Sequence, residues 1–323
     1  EITQYETILN KNATPVQLQK ALTILTRYLH QYYGVKPWLL IDEYDTPLQT
    51  AYLNGYYEPM LNCRRAILGK ALKNNPSLDR AVITGILRIA KESLFSDVNN
   101  LAVYSLLHNK YSEYFGFTEA EVSDLLNQTN LTNQAELIKD WYNGYQFGNT
   151  TIYNPWSIIN CIRQEGHTEP YWINTSSNQL IRDILLSSTE TFKQDFAVLM
   201  QGKAIEKIID ERTIFRNLLH NPTAAWSLLL ASGYLKPISQ QSTDQGNLCQ
   251  LMIPNREVRN LYRRIIEEWL SDGYDVTYYN QLLESLLQGN IKQFKHHLTV
   301  LMTHPEAFYH GLMLGITSSV YGR

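Results

Sequence analysis

Two neighbouring acids follow a short apolar run in the first part of the chain. Leucine, leucine and isoleucine at 39–41 lead directly into Asp42 and Glu43, and Asp45 follows two residues later. An acid at the carboxyl end of a buried strand is suited to hold Mg²⁺, and a second acid beside it can polarise an attacking water. The pattern predicts that Asp42 faces the metal, that Glu43 acts on water and that Asp45 adds negative charge. The alternative is a strand that ends at the surface in a charged turn.

A hydroxyl and two cations follow the next apolar run, at 81–83. Thr84 ends this run, and Arg88 and Lys91 come shortly after it. A hydroxyl in this position is suited to sensing the terminal phosphate of a nucleotide, and the cations are suited to balancing phosphate charge. The alternative is an ordinary strand-end threonine followed by surface cations.

A phosphate-binding loop does not accompany these residues. Such a loop needs glycines and a Gly-Lys-Ser/Thr step that opens a helix. The two Gly-Lys steps of the chain, at 69–70 and 202–203, are each followed by alanine. Neither predicts a phosphate loop.

Two further groups of residues are candidates for nucleic-acid chemistry. Arg256, Arg259 and Arg263 share one face of a predicted helix and could contact phosphates, although three nearby glutamates favour a solvated helix face. Glu306 and His310 are four residues apart on the last predicted helix, and they could contribute to a metal-dependent hydrolase site. The alternative for this pair is a helix-start acid with a surface histidine.

The elements that position these residues are predicted by hydrophobic periodicity. Thr14-Pro15 begins a helix that Gly34 ends, a strand buried on both faces covers 37–43, a helix covers 56–73 and a second strand covers 81–85. This order favours a parallel α/β sheet.

The second half of the chain is predicted to be mainly helical. A capping box at Thr118 and Glu121 starts this part, and Asn143-Gly144 marks a turn. Further on, a helix at 225–231, a strand at 234–238, a polar turn at 239–247, a strand at 251–254 and a helix at 256–270 resemble part of a winged-helix module. Two helices follow at 278–288 and 290–302, and a last one begins near Pro305.

The composition excludes several classes of protein. The 323 residues carry 28 basic and 31 acidic side chains, so a protein that coats polyanions is not expected, although a local basic groove is compatible with these counts. Three dispersed cysteines argue against a zinc knuckle or a disulfide scaffold and favour a reduced, cytoplasmic compartment. No apolar run reaches the roughly 20 residues of a spanning helix. Because the first residue is Glu1 rather than Met, we expect a longer natural chain that could include a targeting segment.

Several phrases, taken together and in order, resemble a known family. The phrases are Leu40-Ile41-Asp42-Glu43-Tyr44-Asp45-Thr46-Pro47, the segment 84–96, Trp141-Tyr142-Asn143-Gly144-Tyr145, Tyr153-Asn154-Pro155-Trp156-Ser157, Ser232-Gly233-Tyr234-Leu235, Ile253-Pro254-Asn255-Arg256-Glu257-Val258 and Phe308-Tyr309-His310-Gly311. With these phrases the chain resembles predicted AAA-ATPase-like proteins that carry a PD-(D/E)XK nuclease domain at the C-terminus.

This resemblance implies a fold of mixed α/β and α class. It implies a partial P-loop ATPase-like parallel sheet at 1–117, a helical lid-like region at 118–200, a winged-helix-like module at 201–274 and the start of a restriction-endonuclease-like domain at 275–323. It also implies ATP and Mg²⁺ as cofactors. Asp42, Asp45, Thr84 and Arg88 would then lie on the nucleotide side, and Glu306 would be the catalytic, metal-side acid of the nuclease domain.

The chain differs from that family at both ends. The phosphate loop of the family lies upstream of residue 1, and its Gly-Arg-Asp phrase and acid-x-Lys strand lie downstream of Glu306, where the chain offers only Gly322-Arg323. Phosphodiester cleavage needs several acids that converge on the metal. Residues 1–323 alone are therefore expected neither to bind ATP in the usual way nor to cut DNA.

Three functions are left open by these observations. The first is an ATPase linked to metal-dependent nucleic-acid cleavage in the complete protein. The second is a non-catalytic, ATPase-like scaffold or effector-like module that binds a macromolecular partner. With this function the protein could be a secreted effector. The third is a winged-helix DNA binder that uses Arg259 and Arg263. The partners predicted are DNA or RNA, or a protein, and not a membrane.

Overall fold

The computed structural model describes residues 2–86, 101–173, 181, 184, 189–211, 221–271 and 276–301. The chain forms two compact units. Residues 1–103 with 210–218 make the first unit, and residues 104–209 with 219–323 make the second.

The described part of the first unit begins with helices and contains two strands. Thr14 caps a short helix through a reciprocal capping box with Gln17, and Gly34 ends the next long helix in the left-handed conformation, at φ 70°. The single helix predicted between these residues is therefore interrupted at Gln19-Lys20. The elements are α1 Ile2–Leu9, α2 Pro15–Leu18, α3 Ala21–Tyr33, β1 Trp38–Ile41, α4 Thr46–Leu53, α5 Tyr57–Leu72 and β2 Arg80–Ile83.

The two strands of this unit pair in parallel, as the order strand, helix, strand predicts. Trp38 is opposite Arg80, and Ile41 is opposite Ile83. The predicted burial of β1 on both faces is wrong, because Trp38 is 54% exposed and Leu40 is 70% exposed. Their neighbours Leu39 and Ile41 are half-buried, so alternate side chains separate into a covered face and an open face.

The second unit contains eight of the described α-helices and the described antiparallel strands. Its described elements are α6 Glu119–Gln128, α7 Ala135–Tyr142, β3 Tyr145–Phe147, β4 Thr150–Ile152, α8 Pro155–Arg163, α9 Glu190–Met200, β5 Ile205–Ile209, α10 Pro222–Ala231, β6 Lys236–Thr243, β7 Gly246–Met252, α11 Arg256–Ser271, α12 Val276–Leu287 and α13 Ile291–Leu301.

The start of α6 confirms the predicted capping box. The Thr118 hydroxyl accepts from the Glu121 backbone N–H, and the Glu121 carboxylate accepts from the Thr118 backbone N–H at 2.8 Å. Helices α6, α7 and α8 then enclose an apolar core. Its fully buried members include Ile138, Tyr142 and Ile158.

Strands β5, β6 and β7 form a three-stranded antiparallel sheet in the order β5, β7, β6. The predicted polar turn at 239–247 is too long, because β6 continues to Thr243 and β7 starts at Gly246. These strand residues are mostly exposed and polar, so they lack the apolar alternation by which a strand is recognised. The order helix, hairpin, helix around this sheet is the one that the sequence predicts.

Helix α10 is apolar on every side and is buried on every side. Trp226 is 2% exposed and stacks on Phe192 of α9 with ring centres 4.0 Å apart, and Leu229 is fully buried. A helix of this kind belongs to a protein core. It therefore offers no polar face to the groove of a nucleic acid.

Within the helices that the structure describes, none combines the length and the apolar character needed to cross a membrane.

Candidate functional site

The carboxyl ends of β1 and β2 bring two of the predicted site residues together. Ile41 and Ile83 are the last paired residues, and Asp42 and Thr84 follow them. The Thr84 backbone N–H donates to the Ile41 carbonyl at 2.9 Å, and the Tyr44 N–H donates to the Thr84 carbonyl at 3.0 Å. In open α/β sheets this end of the strands is where ligands bind.

The Asp42 carboxylate is held in place through one of its two oxygens. The Thr84 hydroxyl donates a hydrogen bond to Asp42 Oδ1, and the Glu43 backbone N–H donates to the same oxygen at 2.9 Å. Both Asp42 and Thr84 are exposed. Among the described residues, no hydrogen bond is made to Oδ2.

Glu43 has an uncommon backbone conformation. Its φ is 48°, in the left-handed region that non-glycine residues rarely adopt. The side chain is exposed, and its Oε2 accepts from the Thr46 hydroxyl at 3.3 Å. The carboxylates of Asp42 and Glu43 therefore have different hydrogen-bond partners, Thr84 for Asp42 and Thr46 for Glu43.

Asp45 has a structural position. It is 4% exposed, and its Oδ2 accepts from the Ile86 backbone N–H at 3.1 Å, so it ties the segment after β1 to the segment after β2. Gly85 passes close by, since a Cβ there would lie 2.6 Å from Asp45 Oδ1 and 2.5 Å from the Tyr44 ring. The structure thus turns Asp45 inward while Asp42 faces solvent.

The remaining hydrolase candidates lie outside the described residues. Arg88, Lys91, Glu306 and His310 belong to this group. In the part of the chain that the structure describes, no group of three or more His, Cys, Asp or Glu side chains is arranged to hold a metal ion. Asp42 with Thr84 is therefore the part of the predicted ATP site that the structure assembles.

The three arginines on α11 differ in their surroundings. Arg256 Nη1 lies 3.6 Å from Asp140 Oδ2, and its guanidinium lies over the Trp141 ring, 4.9 Å from the centre. The Nε atoms of Arg259 and Arg263 are buried in the protein. Arg256 is thus the most exposed guanidinium of the three, and it is already paired with an acid and an aromatic ring.

A buried acid that sequence reasoning counted only as a surface charge lies beside them. Glu257 is completely buried, and its carboxylate accepts from the Ser157 hydroxyl at 2.9 Å and from the Trp172 backbone N–H at 2.8 Å. Burial raises the pKa of Glu257 to about 7, and the hydrogen bonds from Trp172, Ser157 and Ile173 oppose this rise. Helical spacing could have indicated its burial, since it lies four residues before Leu261 on the apolar face of α11.

Several of the phrases that carry the family resemblance meet around this acid. Asn255 Nδ2 donates to the Asn143 carbonyl at 3.0 Å, and Gly144 passes so close to Pro254 that a Cβ would lie 2.3 Å from the Pro254 carbonyl oxygen. Trp172 packs its ring edge-on against Tyr145, with centres 6.2 Å apart. The conformation of this region therefore depends on segments far apart in the chain.

The comparison with protein families matches the part of the chain that contains Asp42 and Thr84. Residues 1–95 match a family described as predicted AAA-ATPase. The matched residues include both parallel strands. A curated relative, described as an uncharacterized protein in the vnfD 5' region of Azotobacter chroococcum mcd 1, is 25% identical over 268 residues. That match covers 82% of this chain and 50% of the relative, so the chain spans about half the length of the relative. No solved structure matches the chain.

Proposed function

We propose that this chain is the nucleotide-responsive part of an AAA-ATPase-like protein that binds ATP with Mg²⁺. The observation that carries the proposal is the contact between Asp42 and Thr84 at the carboxyl end of two parallel strands. An exposed acid and a hydroxyl from adjacent strands are the groups that a metal-bound phosphate needs at this edge.

The residues present fit a magnesium ion. Mg²⁺ is commonly bound by one or two carboxylates together with phosphate oxygens and water. Asp42 supplies such a carboxylate, because its side chain is exposed and its Oδ1 is fixed by two donors. Asp42 would hold such an ion, and the chemistry supplied would be neutralisation of phosphate charge. For the phosphates of ATP the sequence offers Arg88, which lies outside the described residues.

The chain's own residues have distinct parts in this proposal. Thr84 orients Asp42 by donating its hydroxyl to Oδ1. Glu43, next in sequence, polarises water through its carboxylate, whose Oε2 is oriented by the Thr46 hydroxyl. Asp45 keeps the two strand ends together.

The proposal extends to nucleic-acid cleavage in the complete protein. This extension is supported by the phrase Phe308-Tyr309-His310-Gly311 and by the position of Glu306 just before it. In this hypothesis ATP binding at the first unit is coupled to a metal-dependent nuclease that begins near residue 275. The winged-helix-like module at 201–274 would contact the nucleic acid.

A second candidate is a non-catalytic scaffold that binds a macromolecular partner. The observation that favours it is that both Gly-Lys steps of residues 1–323 are followed by alanine, so neither resembles a phosphate loop. The ATP-binding candidate requires Asp42 for nucleotide binding, whereas the scaffold requires neither Asp42 nor a nucleotide.

The experiment is calorimetric titration of the complete protein with ATP, in the presence of Mg²⁺ and in the presence of EDTA. We expect Mg²⁺-dependent binding that Asp42→Asn abolishes and that Thr84→Val weakens about 10- to 100-fold, the usual loss when the partner of a metal ligand is removed. Thr84→Ser keeps the hydroxyl and should restore binding. Glu58→Gln, an exposed acid at the start of α5, is the matched control.

The outcomes separate the two candidates. Equal binding by Asp42→Asn and the unmodified protein would contradict the assignment of Asp42. A complete protein that binds no ATP under either condition would support the scaffold.

A further inference from the structure

A short segment of the second unit displays aromatic rings to solvent. In this segment, residues 104–115 and here called the aromatic loop, Tyr114 is 82% exposed and Phe115 is 51% exposed. Tyr111 is 47% exposed and has a left-handed φ of 68°, and Tyr104 is 39% exposed. Aromatic side chains usually bury most of their surface, so a cluster of exposed rings marks a contact surface.

The aromatic loop is held in a fixed position by its backbone. The Leu106 carbonyl accepts from the Gly148 N–H at 2.7 Å, and the Leu107 carbonyl accepts from the Gln240 side-chain amide at 3.0 Å. A third hydrogen bond joins the hydroxyls of Ser112 and Thr150, whose oxygens are 2.9 Å apart. These anchors come from both hairpins of the unit, so the rings are presented by a rigid base.

The exposed rings leave faces on which flat groups of a ligand can stack. Phe115 is stacked on Phe147, with centres 5.2 Å apart and planes 13° from parallel, and its outer side is open to solvent. Tyr114 lies 6.4 Å from Tyr111, and the angle between their planes is 59°. The open ring faces therefore point in different directions, which suits separate flat ligand groups better than one continuous apolar surface.

A cation lies among these rings. Lys110 Nζ is 4.9 Å from the centre of the Tyr104 ring and 5.1 Å from that of Tyr111. It also donates to the Tyr104 hydroxyl at 3.1 Å, and this hydrogen bond raises the pKa of Lys110. The other ionisable groups of the loop are His108, whose Nδ1 is bonded to Ser105, and the exposed Glu113. The ammonium of an exposed lysine is thus kept beside two aromatic rings.

We propose that the aromatic loop binds single-stranded nucleic acid. Bases stack on Tyr114 and on the outer face of Phe115, and a phosphate between them lies against Lys110. Single strands are bound by this combination of aromatic faces and cations, because every base has a flat face and the backbone carries the charge. The faces of bases in a duplex are covered by their neighbours, so the loop discriminates against double strands.

The position differs from the ATP site and from the predicted winged-helix-like module. The aromatic loop belongs to the second unit, whereas Asp42 and Thr84 belong to the first. Its residues, 104–115, also lie outside the range 201–274 that is predicted for the winged-helix-like module. The proposal therefore does not depend on nucleotide binding, and either one can fail alone.

The test is fluorescence anisotropy of a labelled 20-nucleotide oligothymidine mixed with the complete protein at low salt. We expect binding that weakens as salt rises, as it does when cations contact phosphates. Loss of one base–aromatic stack in Tyr114→Ala should weaken binding about tenfold, whereas Tyr114→Phe, which keeps the ring, should bind like the unmodified protein. Lys110→Gln should make the salt dependence shallower.

A matched control is available in the first unit. Tyr32 at the end of α3 is also 82% exposed, so Tyr32→Ala removes an equally exposed ring elsewhere. The proposal is overturned if the oligonucleotide does not bind, if Tyr32→Ala weakens binding as much as Tyr114→Ala, or if a duplex of the same length binds as tightly. The first of these outcomes would instead point to a protein partner for the aromatic loop.

Discussion

Glu257→Gln is expected to stabilise the protein at alkaline pH. The carboxylate is completely buried and is surrounded by neutral donors, namely the Ser157 hydroxyl and the backbone N–H groups of Trp172 and Ile173. The ionisable groups that face it are the phenols of Tyr142 and Tyr145, which are neutral near pH 7 and whose pKa values burial raises. A glutamine keeps the shape and hydrogen bonds of the neutral acid and carries no charge.

The magnitude follows from the pKa of this acid. Its value rises from 4.5 to about 7 on folding, so the folded state binds the proton more tightly than the unfolded state. The free energy of unfolding therefore falls as the pH rises through this window, by about 3 kcal/mol in all. Above the window the unmodified protein carries the full cost of the buried charge, and below it the acid is neutral in both states.

The assay is urea unfolding followed by tryptophan fluorescence at pH 4 and pH 8. We expect Glu257→Gln to match the unmodified protein at pH 4, where the acid is neutral in both states, and to exceed it by about 3 kcal/mol at pH 8. Glu206→Gln, at an exposed position on β5, is the control and should change little at either pH. The reasoning is refuted if Glu257→Gln gives no gain at pH 8, or gives the same difference at both pH values.

Three further substitutions test the backbone of the second unit. Gly144→Ala combines a φ of 100° with a Cβ placed 2.3 Å from the Pro254 carbonyl oxygen, so it should lower the free energy of unfolding by about 3 kcal/mol or more. Gly289→Ala, with φ 68° and nothing within 4 Å of the new Cβ, should lower it by only about 1 kcal/mol. Both changes are measured by urea unfolding. Equal losses at the two glycines would contradict the clash. Thr118→Ala removes the cap that Glu121 completes and should cost about 1 kcal/mol, with faster amide exchange in the first turn of α6; unchanged exchange there would count against the capping box.

Local sequence signals were sufficient for many of the helices. The apolar periodicity of 56–73 and 278–288 predicts α5 and α12 within about two residues. The capping box at Thr118 and Glu121 predicts the start of α6. These signals act between residues within one or two turns of each other, so they can be recognised without a tertiary structure.

The strand ends of the candidate site were predicted in part. Two apolar runs separated by a helix indicate a parallel pair, and this places Asp42 and Thr84 at the same edge. The direct bond between them depends on the register of β1 and β2, which pairs Ile41 with Ile83. Register is set by the packing of both strands and is not readable from either run alone.

The environment of each acid was decided by the tertiary structure. Asp42 and Asp45 are three residues apart with the same side chain, yet one is exposed and the other is 4% exposed because Gly85 and Ile86 close over it. Glu257 lies in a sequence rich in charges, yet Ser157 and Trp172, which are 100 and 85 residues away, exclude it from water. Sequence by itself determined which groups can ionise and which segments form helices and strands. Their exposure and their pKa depend on segments distant in the chain, because desolvation is produced by everything that packs around a side chain.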